Sequence, residues 1–294
     1  MKKQKLGFIG LGLMGKYMTL NLLKNKYQVV GYNRSKKVLN ELKKSGLIIA
    51  QNPKEIALRS EIIILMLPSS KETGEVIFGK SGLIEGLRKG QVVIDMSTSN
   101  PAETKKIMEV LKKKGVFMMD APVSRGQKAA VAGVLSIMVG GDKKIFNKCL
   151  PIFKAMGEYV VYLGSFGSGL YVKALNNFLF AMNLLASSQG LMMIKKNKID
   201  LKKAIEVIEE SSGNNTALSP SIKNRLGEKH PSIGFYLKHM AKDMKIFNDV
   251  VKDQKIYNTL AKPVSDFFAK MAKLHTGKDS MYLFEHYVVK SNKK

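Results

Sequence analysis

At 294 residues, with 45% hydrophobic and 24% charged residues, the chain has the composition of a globular protein able to bury one large or two ordinary cores. The 49 Lys+Arg and 23 Asp+Glu give a formal net charge of +26, but the lysines are scattered (Lys36-Lys37, Lys43-Lys44, Lys112–Lys114, Lys195-Lys196) and arginine is sparse. Such a charge reads as solvated helix faces that gather small anions, not as a nucleic-acid footprint.

No run of consecutive apolar residues approaches the ~20 of a membrane span. The N-terminal MKKQKLGFIG enters a strand directly, without the apolar region and cleavage site of a signal peptide, and the single Cys149 excludes an internal disulfide. A cytoplasmic protein with neither a nucleic-acid nor a membrane partner is expected.

Residues 5–10, KLGFIG, predict a short strand. GLGLMG at 10–15 follows, then a helix over about Met14–Lys24 with Met14, Met18, Leu22 and Leu23 on one side, then a strand at Gln28–Tyr32. A glycine-rich turn in this strand–turn–helix–strand setting is the dinucleotide-binding fingerprint. Gly10 allows the tight turn, Gly12 lets backbone approach a pyrophosphate, and Gly15 packs helix on strand. Gly10, Leu11, Gly12, Leu13, Met14 and Gly15 are therefore expected to bind the cofactor at a helix N-terminus. The second strand ends in Asn33-Arg34-Ser35. An NAD enzyme usually carries a carboxylate there for the ribose hydroxyls; an arginine suits a 2′-phosphate. NADP(H) is the preferred cofactor, with NAD(H) as the second choice.

The βα alternation continues through a strand at Leu47–Ile49, a helix from Pro53 and an apolar strand over Glu61–Leu67. This strand reads as a central parallel strand, and Leu67-Pro68 at its carboxyl end should border the cofactor. A strand at Gln91–Asp95 runs into Ser97-Thr98, either nicotinamide-side hydroxyl donors or ordinary caps, before a helix from Pro101. FMMDAPVSRG at 117–126 predicts a strand and then a loop carrying Ser124, Arg125 and Gly126. A strand over 134–141, a helix over Lys143–Met156 and a strand at Tyr159–Tyr162 complete this part.

GSGLYVKALNN at 167–177 opens a long apolar helix running to about Lys196. Lys173 and Asn177 share one face of it at i and i+4. A lysine in so apolar a setting is either snorkelling or held for chemistry. Helices are expected over 200–211, 218–226, 235–251 and 260–274, and no useful strand pattern remains. The expected architecture is α/β: a Rossmann dinucleotide-binding domain over 1–165, then an all-α domain over 166–294 begun by a long interdomain helix. In the helical part, Lys242-Asp243 reads as a surface ion pair or as a lysine reaching the cofactor. His230, His239, His275 and His286 lack ligand spacing, and no metal is expected. The tail, Lys290–Lys294, is expected to fray.

Four of these blocks, in order and across nearly the whole length, resemble the β-hydroxyacid dehydrogenase family, which includes 3-hydroxyisobutyrate dehydrogenases, tartronate semialdehyde reductases and glyoxylate/succinic semialdehyde reductases. They are GFIGLGLMG at 7–15, DAPVSRG at 120–126, GSGLYVKALNN at 167–177 and KDM at 242–244. The resemblance implies Lys173 as general acid–base and Asn177 as the residue that orients substrate or holds Lys173. It implies Ser124 and Gly126 at the substrate's anionic head, and Thr98 and Lys242 on the nicotinamide side. The family usually has glycine where this chain has Arg125, and an arginine there resembles the sulfolactaldehyde reductases of the same superfamily. Arg125 therefore either grips a sulfonate or other strong acid, or points to solvent or braces the loop.

The reading is an NADP(H)-dependent oxidoreductase that moves a hydride between nicotinamide and a short acidic aldehyde or β-hydroxyacid. The alternatives are a sulfolactaldehyde-type reductase and a non-catalytic dinucleotide-binding or interaction protein. Imine reduction is disfavoured, because imine reductases resemble this chain but tend to lack the lysine. A small anionic substrate and a homodimer or homotetramer are the expected partners.

Overall fold

The computed structural model describes residues 4–226, 234–284 and 288. By the contacts within each, the chain divides into two compact units, Met1–Lys173 and Ala174–Lys294.

The first unit is built on a sheet of β1 (Lys5–Ile9), β2 (Gln28–Tyr32), β3 (Ile48–Ile49), β4 (Ile62–Leu65), β5 (Val92–Asp95), β6 (Phe117–Asp120), β7 (Val123–Ser124), β8 (Leu135–Gly140) and β9 (Gly157–Gly164). Their order is β3-β2-β1-β4-β5-β6-β8-β7, with β9 beside β8. The run β3 to β6 is parallel and doubly wound, the order that leaves a ligand crevice at the carboxyl ends of the strands. Its helices are α1 (Gly15–Lys24), α2 (Lys36–Lys43), α3 (Pro53–Arg59), α4 (Ser70–Phe78), α5 (Pro101–Lys113), α6 (Gly126–Ala132) and α7 (Lys143–Lys154). In β4, Ile62 and Ile64 enter one core while Ile63 and Leu65 enter the other, as the period-2 alternation of a strand covered on both faces requires.

Beyond β6 the alternation breaks. Strand β8 runs antiparallel to β6 and β7, so the strands after the DAPV turn form a mixed edge. The stretch expected to be loop after Ser124 becomes helix at once, because α6 starts at Gly126 and closes on Gly133 at φ 75°. So short a helix leaves little periodicity to read.

The long helix α8 spans Ser168–Lys196. Its most apolar 18 residues have a mean hydropathy of 1.2, which by length and composition also suits a membrane span. One such helix is weak evidence, since the core helix of a folded domain passes the same test.

The second unit continues with α9 (Leu201–Glu209), a π-helical turn at Ala217–Ile222, α10 (Lys223–Arg225), α11 (Leu237–Asp253), α12 (Ala261–Leu274) and α13 (Tyr282–Phe284) around its own apolar core. The helix expected over 218–226 is broken instead. Ser219 lies at φ −131°, ψ 125°, because it precedes Pro220 and the residue before a proline is pushed out of the helical region. Inside this core Phe178 stacks on Phe247 with ring centroids 4.0 Å apart, which fixes α8 against α11.

Candidate active site

The glycine-rich turn is shaped by what its glycines lack. A Cβ on Gly10, at φ +96°, would fall 2.2 Å from Met66 O, and one on Gly15 would fall 2.0 Å from Gly10 O. Both positions are closed by the protein's own backbone. A Cβ on Gly12 would meet nothing within 4 Å, so this glycine keeps space open for something outside the chain. Asn33 Oδ1 accepts from Leu11 N at 3.0 Å, so the end of β2 braces the turn. The residues therefore fit a dinucleotide pyrophosphate.

Helix capping in this unit is uneven in an informative way. Helices α3, α4, α5 and α7 are capped by their own side chains, Asn52, Ser69, Asn100 and Asp142. Helices α1, α2 and α6 have no side-chain cap bond, and none has an acidic residue in its first turn. Their N-termini stand where the sequence predicts pyrophosphate, 2′-phosphate and substrate anion. Backbone N–H groups and the helix dipole suit each of those positions to negative charge.

A cavity of about 310 Å³ is lined by Gly12, Leu13, Lys16, Ser35, Lys37 and Gln127. It joins the glycine turn to the start of α2 and to α6, and it brings in Lys37 and Gln127, which the motif reading passed over. Lys37 directly follows Ser35-Lys36, and its charge was counted only as surface. Asn21 Nδ2 donates to Ala130 O at 2.7 Å, tying α1 to α6. Arg34 is exposed beside Glu72. Burial pushes the Glu72 carboxyl up, but the Ser69 hydroxyl and its own backbone N–H, with the nearby charges of Arg34 and Lys71, outweigh burial and hold it below its usual range.

At the carboxyl end of β4, Leu67 N donates to Ser97 Oγ at 2.8 Å. Ser97 is thus buried bracing of the Leu67-Pro68 turn, while Thr98 beside it is half-buried. Beneath them Asp95 is fully buried and accepts from Ser97 N, with the hydroxyls of Ser99 and Thr73 at 3.4 Å. Burial pushes its carboxyl up to about 6, with the charge of Asp120 adding to the rise.

On the predicted substrate loop, Ser124 closes β7, and a Cβ on Gly126, at φ +69°, would meet nothing within 4 Å. Arg125 is at φ 80°, a left-handed conformation that explains the glycine usual at this position. Its guanidinium reaches Val134 O at 3.0 Å and Glu158 Oε2 at 3.2 Å, so in this structure Arg125 braces the loop. Lys173 is buried at 8% exposure, in the second turn of α8.

In the second unit, Asn177 Nδ2 donates to Asp243 Oδ2 at 2.5 Å. Lys242 Nζ lies 3.1 Å from Oδ1 of the same carboxylate, close enough for an ion pair but without hydrogen-bond alignment. Asp243 is only 2% exposed, so the surface-pair reading of Lys242-Asp243 fails on burial. The sequence signal lay in the helix around it, where Met240 and Met244 put Asp243 on the core side of α11. Of the histidines, His239 packs on Phe235 and Tyr236, and His275 on Tyr282. Among the described residues no group of His, Cys, Asp and Glu could hold a metal; His230, His286 and the tail Lys290–Lys294 lie outside them.

Residues 5–164 match the model of the NAD-binding domain of 6-phosphogluconate dehydrogenase. Residues 167–287 match that described as NAD-binding of NADP-dependent 3-hydroxyisobutyrate dehydrogenase. The chain is 34% identical over 95% of its length to an uncharacterised oxidoreductase of Bacillus subtilis, covering 98% of it. It is 32% identical over 97% of its length to the mitochondrial 3-hydroxyisobutyrate dehydrogenase of Rattus norvegicus, covering 87% of that protein. It is 30% identical over 93% of its length to glyoxylate/succinic semialdehyde reductase 1 of Arabidopsis thaliana, covering 94% of it. The fold matches 3-hydroxyisobutyrate dehydrogenase of Mycobacterium tuberculosis, solved with L-serine, with a TM-score of 0.86 at 24% identity, over 97% of this chain and 99% of that one. The chain belongs to the β-hydroxyacid dehydrogenase family of NAD(P)-dependent oxidoreductases, whose members are dehydrogenases and reductases acting on a hydroxyl group or its carbonyl.

Proposed function

We propose that the protein is an NADP(H)-dependent reductase of a short aldehyde or ketone that carries a carboxylate, working in reverse on the matching β-hydroxyacid. The observation that carries the reading is Lys173, an ammonium side chain buried in the mainly apolar helix α8. A lysine is rarely held there without a task.

The bound nicotinamide would supply or take up the hydride. Gly10 to Gly15, Asn33, Arg34, Ser35, Leu67, Pro68, Thr98 and Lys242 would hold the cofactor. Lys173 would give its proton to the carbonyl oxygen as that oxygen gains negative charge, and would take the proton back in the oxidation direction. Asn177, its amide held by Asp243, would orient the substrate oxygen. The Ser124 hydroxyl and the Gly126 N–H would bind the carboxylate at the uncapped start of α6. The net charge of +26 favours arrival of such an anion.

The preference for NADP(H) is supported by Arg34 at the end of β2 and by Ser35 and Lys37 at the adjoining cavity. The contacts of Arg125 to Glu158 and Val134 favour a carboxylate over a sulfonate, since its Nη1 already donates to both protein partners. A homodimer or homotetramer belongs to the same reading: Leu175, Leu179 and Met193 of α8 are exposed, and a second copy would cover them.

The test is a spectrophotometric screen of reduced-nicotinamide absorbance. It runs glyoxylate, succinic, tartronate and methylmalonate semialdehydes and sulfolactaldehyde with both cofactors. Turnover of a carboxylated aldehyde with a higher kcat/KM for NADPH is expected. Tight cofactor binding without turnover would sink the reading, and preference for the sulfonate would transfer it to Arg125.

A further inference from the structure

Asp120 ends strand β6 and is fully buried. Its carboxylate reaches the start of α8. Oδ1 accepts from Gly167 N at 2.7 Å and Oδ2 from Leu170 N at 2.9 Å. These amides belong to the first turn of α8 and the residue just before it, groups that have no carbonyl partner inside a helix. Ser168 N is met by Ser165 O, and the first helical bond runs from Tyr171 N to Gly167 O. Helix α8 has no acidic residue in its own first turn. Its N-terminal cap is therefore supplied from the sheet, by a residue 47 and 50 positions earlier in the chain.

The surroundings are cut to fit this carboxylate. A Cβ on Gly140 would fall 2.5 Å from Asp120 Oδ1 and 2.7 Å from Ser165 O. A Cβ on Gly169 would fall 2.8 Å from Asp120 Oδ2 and 2.1 Å from Met138 O. Gly167, at φ +96°, turns its own N–H onto Oδ1. Burial pushes the Asp120 carboxyl up, and the N–H groups of Gly167 and Leu170 pull it back toward the ionised form. An anion at this point also complements the positive end of the helix dipole.

We infer that Asp120 is a positioning residue for the reaction: it fixes where α8 begins, and with it the height and rotation at which Lys173 is presented. This inference rests on the reading of Lys173 as the proton donor. The helix rises about 1.5 Å per residue, so a start that slips by one residue carries the lysine that far along the axis and turns it around the helix. Misplacement of a reacting group by about 1 Å costs on the order of 100-fold in rate. Asp120 itself need touch neither substrate nor cofactor.

The test is Asp120→Asn, which keeps the shape but sets an NH2 group against a backbone donor. Kinetics and amide hydrogen exchange are read on the same protein. The expected result is a kcat lower by about 10- to 100-fold, with the KM for the aldehyde and the Kd for NADPH each within about threefold of wild type. Exchange in peptides covering 166–173 is expected to rise at least about tenfold, without a comparable rise in β1 or β4. In a Lys173→Ala background the same substitution should leave the residual rate unchanged, because its effect passes through the lysine.

Equal losses in both backgrounds would overturn the inference, as would unchanged exchange at the start of α8 or a fall confined to cofactor affinity. Should Asp120→Asn not fold, Asp120→Ser, which retains one acceptor oxygen, is read in the same way. A wild-type protein that turns over no aldehyde would defeat the proposed function. The exchange measurement, which needs no turnover, would still decide whether Asp120 anchors the helix.

Discussion

Asn177 and Asp243 are joined by a part-buried hydrogen bond of 2.5 Å, from the half-buried amide of α8 to a buried carboxylate of α11. The bond is accompanied by the Phe178–Phe247 stack between the same helices. Asp243→Ala should therefore act on both stability and turnover. Losing a hydrogen bond to a charged acceptor costs about 1.5–3 kcal/mol, so the midpoint of denaturant unfolding should fall accordingly. The kcat should fall as well, since Asn177 would lose its fixed orientation. Wild-type kcat in a destabilised variant would confine Asp243 to a structural role.

Lys173→Ala should fold, keep its affinity for NADPH and lose turnover by about 100- to 10,000-fold, the range for removal of a positioned general acid. Cofactor fluorescence titration and single-turnover kinetics separate the two quantities. A kcat near that of wild type would overturn the assignment of Lys173.

Gly12 and Gly15 should respond in opposite ways to an added methyl group. Gly12→Ala places its Cβ in open space and should leave the melting temperature unchanged, while raising the Kd for the cofactor at least about tenfold. Gly15→Ala drives a Cβ to 2.0 Å from Gly10 O and should destabilise the fold by about 1–3 kcal/mol. Thermal melts with and without cofactor distinguish the two. A Gly12→Ala protein with intact affinity would mean that the cofactor does not approach this backbone.

Arg34→Ala should cut the ratio of kcat/KM for NADPH over NADH by about 10- to 100-fold, the worth of one charge-assisted hydrogen bond to a phosphate. Lys37→Ala should act in the same direction, because Lys37 lines the cavity beside Ser35. If the ratio is unchanged in both variants, the 2′-phosphate is read elsewhere or not at all.

Asp95 should make stability depend on pH. Its folded value of about 6 lies above the ordinary 3.8, chiefly through burial. Between about pH 4 and pH 6 the unfolded chain has released this proton while the folded protein still holds it. The contribution of Asp95 to stability is therefore fully present below that window, falls as pH rises through it, and stays low above it. Asp95→Asn removes the titration and keeps an acceptor for Ser97 N. It should be more stable than wild type at pH 7 by up to about 3 kcal/mol, with the gap closing toward pH 4. Urea unfolding of both proteins across this range gives the comparison, and a constant gap would show that Asp95 does not titrate there.

Much of this molecule was legible in its sequence. GLGLMG between an apolar strand and an amphipathic helix dictated the nucleotide fold, because at its first and last glycines the backbone leaves no room for a Cβ. The apolar residues of β4 announced a strand covered on both faces. Lys173 and Asn177 could be put on one helix face from their spacing alone. Local rules suffice where a residue's role follows from its immediate neighbours along the chain.

What the tertiary structure decided was the partnership of polar groups distant in sequence. Asp120 read as the first letter of a loop motif, yet it caps α8. Asp243 read as half of a surface ion pair, yet it is the buried acceptor for Asn177. Arg125 read equally as an anion grip or a loop brace, and its contact with Glu158 makes it the brace. A buried donor or acceptor must find a partner wherever the fold brings one within about 3 Å, and no spacing along the chain records that distance.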